Sequence, residues 1–209
     1  MKNIACLFLI LVALISKGQT IKDYFLPTEG KNKSNFYTPN PTTGERTDMR
    51  TTIWFIKKGD NFDVMQAKLT NGQPTSIITQ RVSILDNEIK LLKTTSTNLF
   101  ETNKQTIHSP PQILLRLPKS GQKSLWTIKT SDSSTKCTGE LIRLDVGGES
   151  KKVLKVKKEV YEDGKLVDWA TSFEYYVFGI GLWKIEIPTG EVIDKLDSQE
   201  FDGKAEKLK

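Results

Sequence analysis

Beyond Met49 the chain is a succession of short runs rich in β-branched and aromatic residues, each bounded by turn-forming pairs. Such runs read as strands, because branched side chains fit a pleated, half-buried surface. Residues 51–57 and 62–69 flank Gly59-Asp60 as a hairpin. Asn71-Gly72 and Pro74 interrupt the pattern, and runs 77–85 and 89–93 follow around Asp86-Asn87. The segment 77–93 also sets Ile77, Ile78, Val82, Leu85, Ile89 and Leu92 near helical spacing, so hairpin and helix both remain open there. The turn chemistry of Asp86-Asn87 favours strands. Residues 94–105 are polar and read as a loop. Pro110-Pro111 is incompatible with a helix interior or a central strand, so the next strand is expected at 112–117.

The C-terminal half permits a register argument. Asp163-Gly164 is a two-residue hairpin signal. Pairing outward from it sets Val160 opposite Val167, Lys158 opposite Trp169, Val156 opposite Thr171 and Leu154 opposite Phe173. These residues share an apolar face, while Lys155, Lys157, Ala170 and Ser172 take the other. A slip of one residue would reverse every side chain. A tight loop at Gly179-Ile180-Gly181 then brings Val177 near Trp183, Tyr175 near Ile185 and Phe173 near Ile187. It leaves Tyr176, Phe178 and Lys184 outside, and it opposes Glu159 to Asp168 and Glu174 to Glu186. Pro188-Thr189-Gly190 turns the chain into a last run, 192–196. The expected fold is all-β: an antiparallel meander whose apolar face must curl on itself or be covered, giving a curved sheet, half-barrel or sandwich.

Two flanks complete the organisation. Residues 19–50, punctuated by Pro27, Pro39 and Pro41, read as an irregular segment before a single β-rich domain at 51–200; 201–209 reads as a charged, frayed tail. At the start, residues 4–15 form a nearly unbroken apolar run behind Lys2 and ahead of Ser16-Lys17-Gly18. A charged leader, a short apolar core and small residues near its end read as a signal peptide, residues 1–18. The run falls short of the roughly 20 residues a membrane-spanning helix needs. The expected location is therefore export to the periplasm or beyond, soluble, with no stable membrane insertion after cleavage.

Composition narrows the chemistry. Loss of Lys2 and Lys17 from 31 basic residues leaves 29 against 25 acidic, a net charge of +4 carried by dispersed lysines. That is not the basic stripe of a nucleic-acid binder. Cys6 leaves with the leader and lies too early in it for lipid attachment. Cys137 remains alone, which excludes an intramolecular disulfide and reads as a small buried hydrophobe. His108 is the single histidine; beside Pro110-Pro111 it reads as structural, and no GxSxG nucleophile motif accompanies it. One His and one Cys do not make a zinc site. No phosphate-binding glycine loop or calcium loop occurs, no cofactor is implied, and no carboxylate pair stands out. Asn32-Lys33-Ser34 matches a glycosylation triplet. Trp54, Trp126, Trp169, Trp183, Tyr175 and Tyr176 read as core, or else as a platform for a sugar or lipid.

Three stretches carry a resemblance. They are Asp23-Tyr24-Phe25-Leu26-Pro27 with Gly30, residues 110–118 with Gly121 and Trp126, and residues 175–184. Together the chain resembles the TapB-like group of exported bacterial domains of unknown function, departing from it where Leu26 intervenes between Phe25 and Pro27. The resemblance implies a β-dominated exported protein and transfers no catalytic residue. With no catalytic, cofactor-binding or metal-binding residue to name, the functional expectation is a non-enzymatic module for a lipid, a glycan or an envelope protein. The alternative is a glycan hydrolase using an unidentified carboxylate pair.

Overall fold

The computed structural model describes residues 19–98, 101–130 and 132–202. The leader at 1–18 and the tail from 203 lie outside the described residues. Among the described residues one short helix, α1 (Lys22–Phe25), precedes thirteen strands. These are β1 (Lys33–Pro39), β2 (Arg46–Lys58), β3 (Asn61–Thr70), β4 (Gln73–Ile84), β5 (Glu88–Asn98), β6 (Glu101–Arg116) and β7 (Ser124–Lys129). They continue as β8 (Ser133–Val146), β9 (Glu149–Glu162), β10 (Lys165–Leu166), β11 (Ser172–Val177), β12 (Gly181–Glu186) and β13 (Val192–Glu200).

All pair antiparallel in one sheet, in the order β6-β5-β4-β3-β2-β1-β13-β12-β11-β9-β8-β7, with the two-residue β10 paired only to β9. Apart from the β1–β13 pairing, and the β9–β11 pairing that passes over β10, neighbours in space are neighbours along the chain. The two ends of the sheet, β6 and β7, are themselves consecutive. The sheet curls until they meet, and the result is a nearly closed barrel. The all-β antiparallel architecture expected from the pattern is what forms, and closure resolves the choice between curling and layering.

Several local expectations need correction. Residues 19–50 are not irregular: they hold α1, β1 and the start of β2, and β1 bridges β2 to β13. Residues 77–93, by contrast, form the β4–β5 hairpin that the Asp86-Asn87 turn favoured over a helix. The expected loop at 94–105 is mostly strand, because the threonines of β5 are good strand formers despite their polarity. Strand β6 runs through Pro110-Pro111. The prolines are tolerated because residues 108–111 bulge opposite Leu92 alone, between the Leu91↔Gln112 and Lys93↔Ile107 pairs. The start of the tail is tied down: the Asn32 side chain and the Asp202 main chain exchange two hydrogen bonds, and Trp54 Nε1 donates to Asp202 Oδ2 at 2.8 Å.

The largest departure concerns β11. The Asp163-Gly164 turn forms, with φ of 48° and 77°, and the Val167 N–H donates to the Val160 carbonyl as expected. A 3-10 turn at Asp168–Ala170 then takes up the chain, and pairing resumes as Ser172↔Lys158, Phe173↔Lys157 and Glu174↔Val156. The three-residue offset is odd, so it exchanges the two faces of β11. Tyr176 points inward with Leu154, Val156 and Lys158, while Phe173, Tyr175 and Val177 point outward with Lys155 and Val153. Trp169 is left 83% exposed on the 3-10 turn. The β11–β12 register differs too: Tyr176 opposes Leu182 and Tyr175 opposes Lys184. The two expected like-charge pairs do not form, since Glu174 meets Lys158, Glu159 meets Lys157 and Glu186 meets Lys184.

Candidate functional site

The barrel interior is built from the inward residues of every wall: Phe36, Ile53, Val64, Val82, Leu91, Leu115, Trp126, Cys137, Leu154, Val156 and Tyr176. One end is stoppered by α1. Asp23 organises it locally, its Oδ2 accepting from the Thr20 N–H at 2.9 Å and the Thr20 hydroxyl at 3.0 Å. The Ile21 N–H donates to the Asp86 carbonyl at 2.9 Å, and the Gly179 N–H donates to the Asp23 carbonyl at 2.7 Å, so two hairpin loops grip the helix. Tyr24 meets Phe178 edge-on at 5.5 Å, and Phe25 meets Phe55 edge-on at 5.6 Å. Burial pushes the Tyr24 hydroxyl up to about 12.

Above this stopper the interior is not filled. A cavity of about 240 Å³ lies between Phe25 at its floor and walls from β1, β2, β3, β4, β6, β9, β11, β12 and β13. Its apolar lining includes Phe36, Ile53, Phe55, Val64, Leu114, Leu182 and Ile185. Its polar lining comprises Thr51, Gln66, Gln80, Lys158, Glu174, Tyr176 and Asp194. In most strands of this barrel the inward positions are apolar, so this polar group is a concentrated exception.

Two of the charges neutralise each other. Lys158 Nζ donates to Glu174 Oε1 at 2.6 Å, and the Tyr176 hydroxyl donates to Glu174 Oε2 at 2.6 Å. Both carboxylate oxygens are thereby engaged. Burial, reinforced by the Glu174 charge, pushes the Tyr176 hydroxyl well above its usual value. Asp194 differs. Thr51 Oγ1 donates to its Oδ1 at a long 3.4 Å, and the Thr38 hydroxyl is a second partner. Burial raises its pKa from 3.8, opposed by the more distant charge of Lys68. Among the described residues no salt bridge reaches Asp194.

The residues considered from sequence are distributed as follows. His108 lies on β6, accepting at Nδ1 from Gln112 Nε2 (3.1 Å) and so donating at Nε2 to Thr94 Oγ1 (3.0 Å), a structural arrangement that fixes the tautomer. Cys137 is buried in the wall, and burial pushes its thiol up to about 11, which makes it a poor nucleophile. Asn32 has its amide committed to Asp202, and Ser34 is buried. Of the aromatic set, Trp126 and Tyr176 are interior. Tyr175 and Trp183 belong to an outer-wall cluster in which Lys184 lies over both rings and Lys155 over Tyr175 and Phe173. Among the described residues no group of three His, Cys, Asp or Glu side chains is disposed to hold a metal. No helix there is long and apolar enough to cross a membrane.

Asp194, Gln66 and Gln80 were not singled out by sequence reading. The signal was present in part: Gln66 falls on the inward alternation of Val64, and Asp194 on that of Val192 and Leu196. Recognising it required knowing which face turns inward. The chain matches no family model, no curated protein and no solved structure.

Proposed function

We propose that this is a non-enzymatic binding module of an exported protein, and that a small amphipathic molecule occupies the barrel interior. The observation that carries the reading is the cavity itself. Side chains fill the centre of a barrel of about eight strands, and a wider barrel such as this one encloses interior space that a ligand can occupy. Here about 240 Å³ remains open, roughly eight waters' worth at ~30 Å³ each. Its lining combines an apolar wall with a few convergent polar groups, the usual makeup of a small-molecule site. The export signal at residues 1–18 assigns the module to the envelope or beyond.

The hydrolase alternative finds less support. Two carboxylates, Glu174 and Asp194, line the cavity, and both oxygens of Glu174 are held by Lys158 and Tyr176, so no pair of free carboxylates faces it. A general acid or nucleophile needs a free oxygen facing substrate. The outer wall also bears on the environment. Outward positions carry Lys155, Lys157 and the Asp63–Arg81 pair, while most of the inward ones are apolar. A membrane-spanning barrel has the opposite arrangement, so the proposed module is surrounded by water.

The test is native mass spectrometry of protein purified from its own envelope, alongside an Ile53→Trp variant that fills the cavity. A co-purifying small molecule present in the parent and lost in the variant supports the reading. A bare protein that captures one macromolecular partner equally well with either sequence overturns it.

A further inference from the structure

The ionisable groups lining the cavity are Lys158, Glu174, Tyr176 and Asp194. Lys158 and Glu174 cancel at 2.6 Å, and the Tyr176 hydroxyl is spent on Glu174. The net formal charge presented to the cavity is therefore that of Asp194. The remaining polar lining adds the side-chain amides of Gln66 and Gln80, each with an acceptor oxygen and a donor NH2, and neither takes part in a protein hydrogen bond among the described residues. Lys68, the cation nearest in charge to Asp194, is exposed on β3 and forms no ion pair among the described residues.

Resting on the binding reading above, we infer that the ligand is a cationic amphiphile, with a protonated amine seated against Asp194 and a short apolar body against Phe36, Ile53 and Leu182. An ammonium matches the uncompensated charge and supplies three donors to the acceptors present. A carboxylate-bearing ligand meets the opposite situation: its charge would face Asp194, and the one interior cation is already committed to Glu174. The cost of keeping Asp194 ionised inside the barrel is what a bound cation offsets. Lys68 partly offsets it in the empty barrel, and the ligand competes with that side chain.

The cavity suits a probe of about eight heavy atoms. Calorimetric titration with n-hexylammonium, n-hexanol and hexanoate separates the possibilities. Expected is ammonium binding roughly tenfold tighter than the alcohol, with hexanoate weakest. In Asp194→Asn the ratio of ammonium to alcohol affinity falls to near one. In Lys68→Ala, ammonium binds several-fold tighter, which provides a second readout should the Asp194 variant not fold. Equal affinity for ammonium and alcohol in the parent overturns the inference and leaves the binding reading standing. So does a preference that survives Asp194→Asn, or an ammonium affinity unmoved by Lys68→Ala. Failure of all three probes to bind overturns both.

Discussion

The side chain of Gln112 pairs with the main chain of Lys129 as though it were another strand: Oε1 accepts from the Lys129 N–H at 2.5 Å, and Nε2 donates to the Lys129 carbonyl at 2.7 Å. This is where the barrel closes. Among the described residues no backbone ladder joins β6 to β7, and the seam is held by this pair of hydrogen bonds together with Arg116 donating to the Leu125 carbonyl and Ser124 donating to the Arg116 carbonyl. Gln112→Ala removes three hydrogen bonds, these two and the one to His108 Nδ1, at about 1 kcal/mol each and should cost about 3 kcal/mol in urea denaturation. The Lys129 amide should lose most of its hydrogen-exchange protection. Retention of that protection would mean the seam is held by something else.

Gly181 is required where it stands. Its φ is +89°, and a Cβ there would lie 2.9 Å from the Leu26 carbonyl oxygen and 3.1 Å from that of Phe25. Both neighbours are backbone at the end of α1, so neither yields cheaply. Gly181→Ala combines left-handed strain with this collision and should destabilise the fold by at least about 2 kcal/mol. The Gly179 amide, which donates to Asp23, should exchange faster as the stopper lifts. An alanine variant of unchanged stability would show that α1 is not locked by this loop.

Among the described residues the buried indole N–H of Trp126 has no hydrogen-bond partner, and the residue is only 7% exposed. An unsatisfied buried donor costs about 1–3 kcal/mol. Trp126→Phe removes that penalty while losing part of the ring, so the variant should stay within about 1 kcal/mol of the parent. Trp126→Ala, which leaves a cavity with no such relief, should cost about 3–5 kcal/mol. Equal losses for the two variants would indicate that the N–H is satisfied in solution.

Asp194 predicts a pH dependence of defined sign. Facing it are Thr38 on β1, Thr51 on β2, Lys68 on β3 and Ile185 on β12. Because its folded pKa lies above the ordinary 3.8, the folded state holds its proton more tightly than the unfolded chain does. Stability therefore falls as pH rises through the interval between 3.8 and the raised value. Asp194→Asn should be more stable than the parent near neutral pH, with the difference shrinking as pH drops through that interval. Denaturation curves for both proteins across this range check it; a variant that is less stable at neutral pH refutes the sign.

How much of this was legible beforehand depends on the range of the contact. Local signals worked: Gly59-Asp60, Asp86-Asn87 and Asp163-Gly164 are all turns, and the inward set of β9, from Leu154 to Val160, follows its alternation. What failed was nonlocal. Strand β1 hides among Asn, Thr and Pro residues because one of its two partner strands, β13, lies at the far end of the chain. The Gln112–Lys129 bond joins residues across a seam that exists only once the whole sheet has curled. Nothing in the alternation of 167–177 announces the 3-10 turn, and that turn alone reverses which aromatic residues of β11 enter the barrel. The cavity could not be anticipated, since it depends on all the inward faces at once.

That reversal makes the final prediction, because alternation and structure assign opposite roles to two aromatic residues. Continued pairing from Asp163-Gly164 would bury Trp169 and expose Tyr176. The 3-10 turn does the reverse: Trp169 is 83% exposed, while Tyr176 is 8% exposed with its hydroxyl on Glu174 Oε2. Trp169→Ala should therefore change stability by no more than about 0.5 kcal/mol, as exposed positions do. Tyr176→Phe keeps the ring but strands an ionised, buried oxygen of Glu174, and should cost about 1–3 kcal/mol. The pair of denaturation measurements decides between the two registers. A costly Trp169→Ala with a silent Tyr176→Phe would restore the uninterrupted hairpin, turn Glu174 outward and remove the internal ion pair on which the charge balance of the cavity rests.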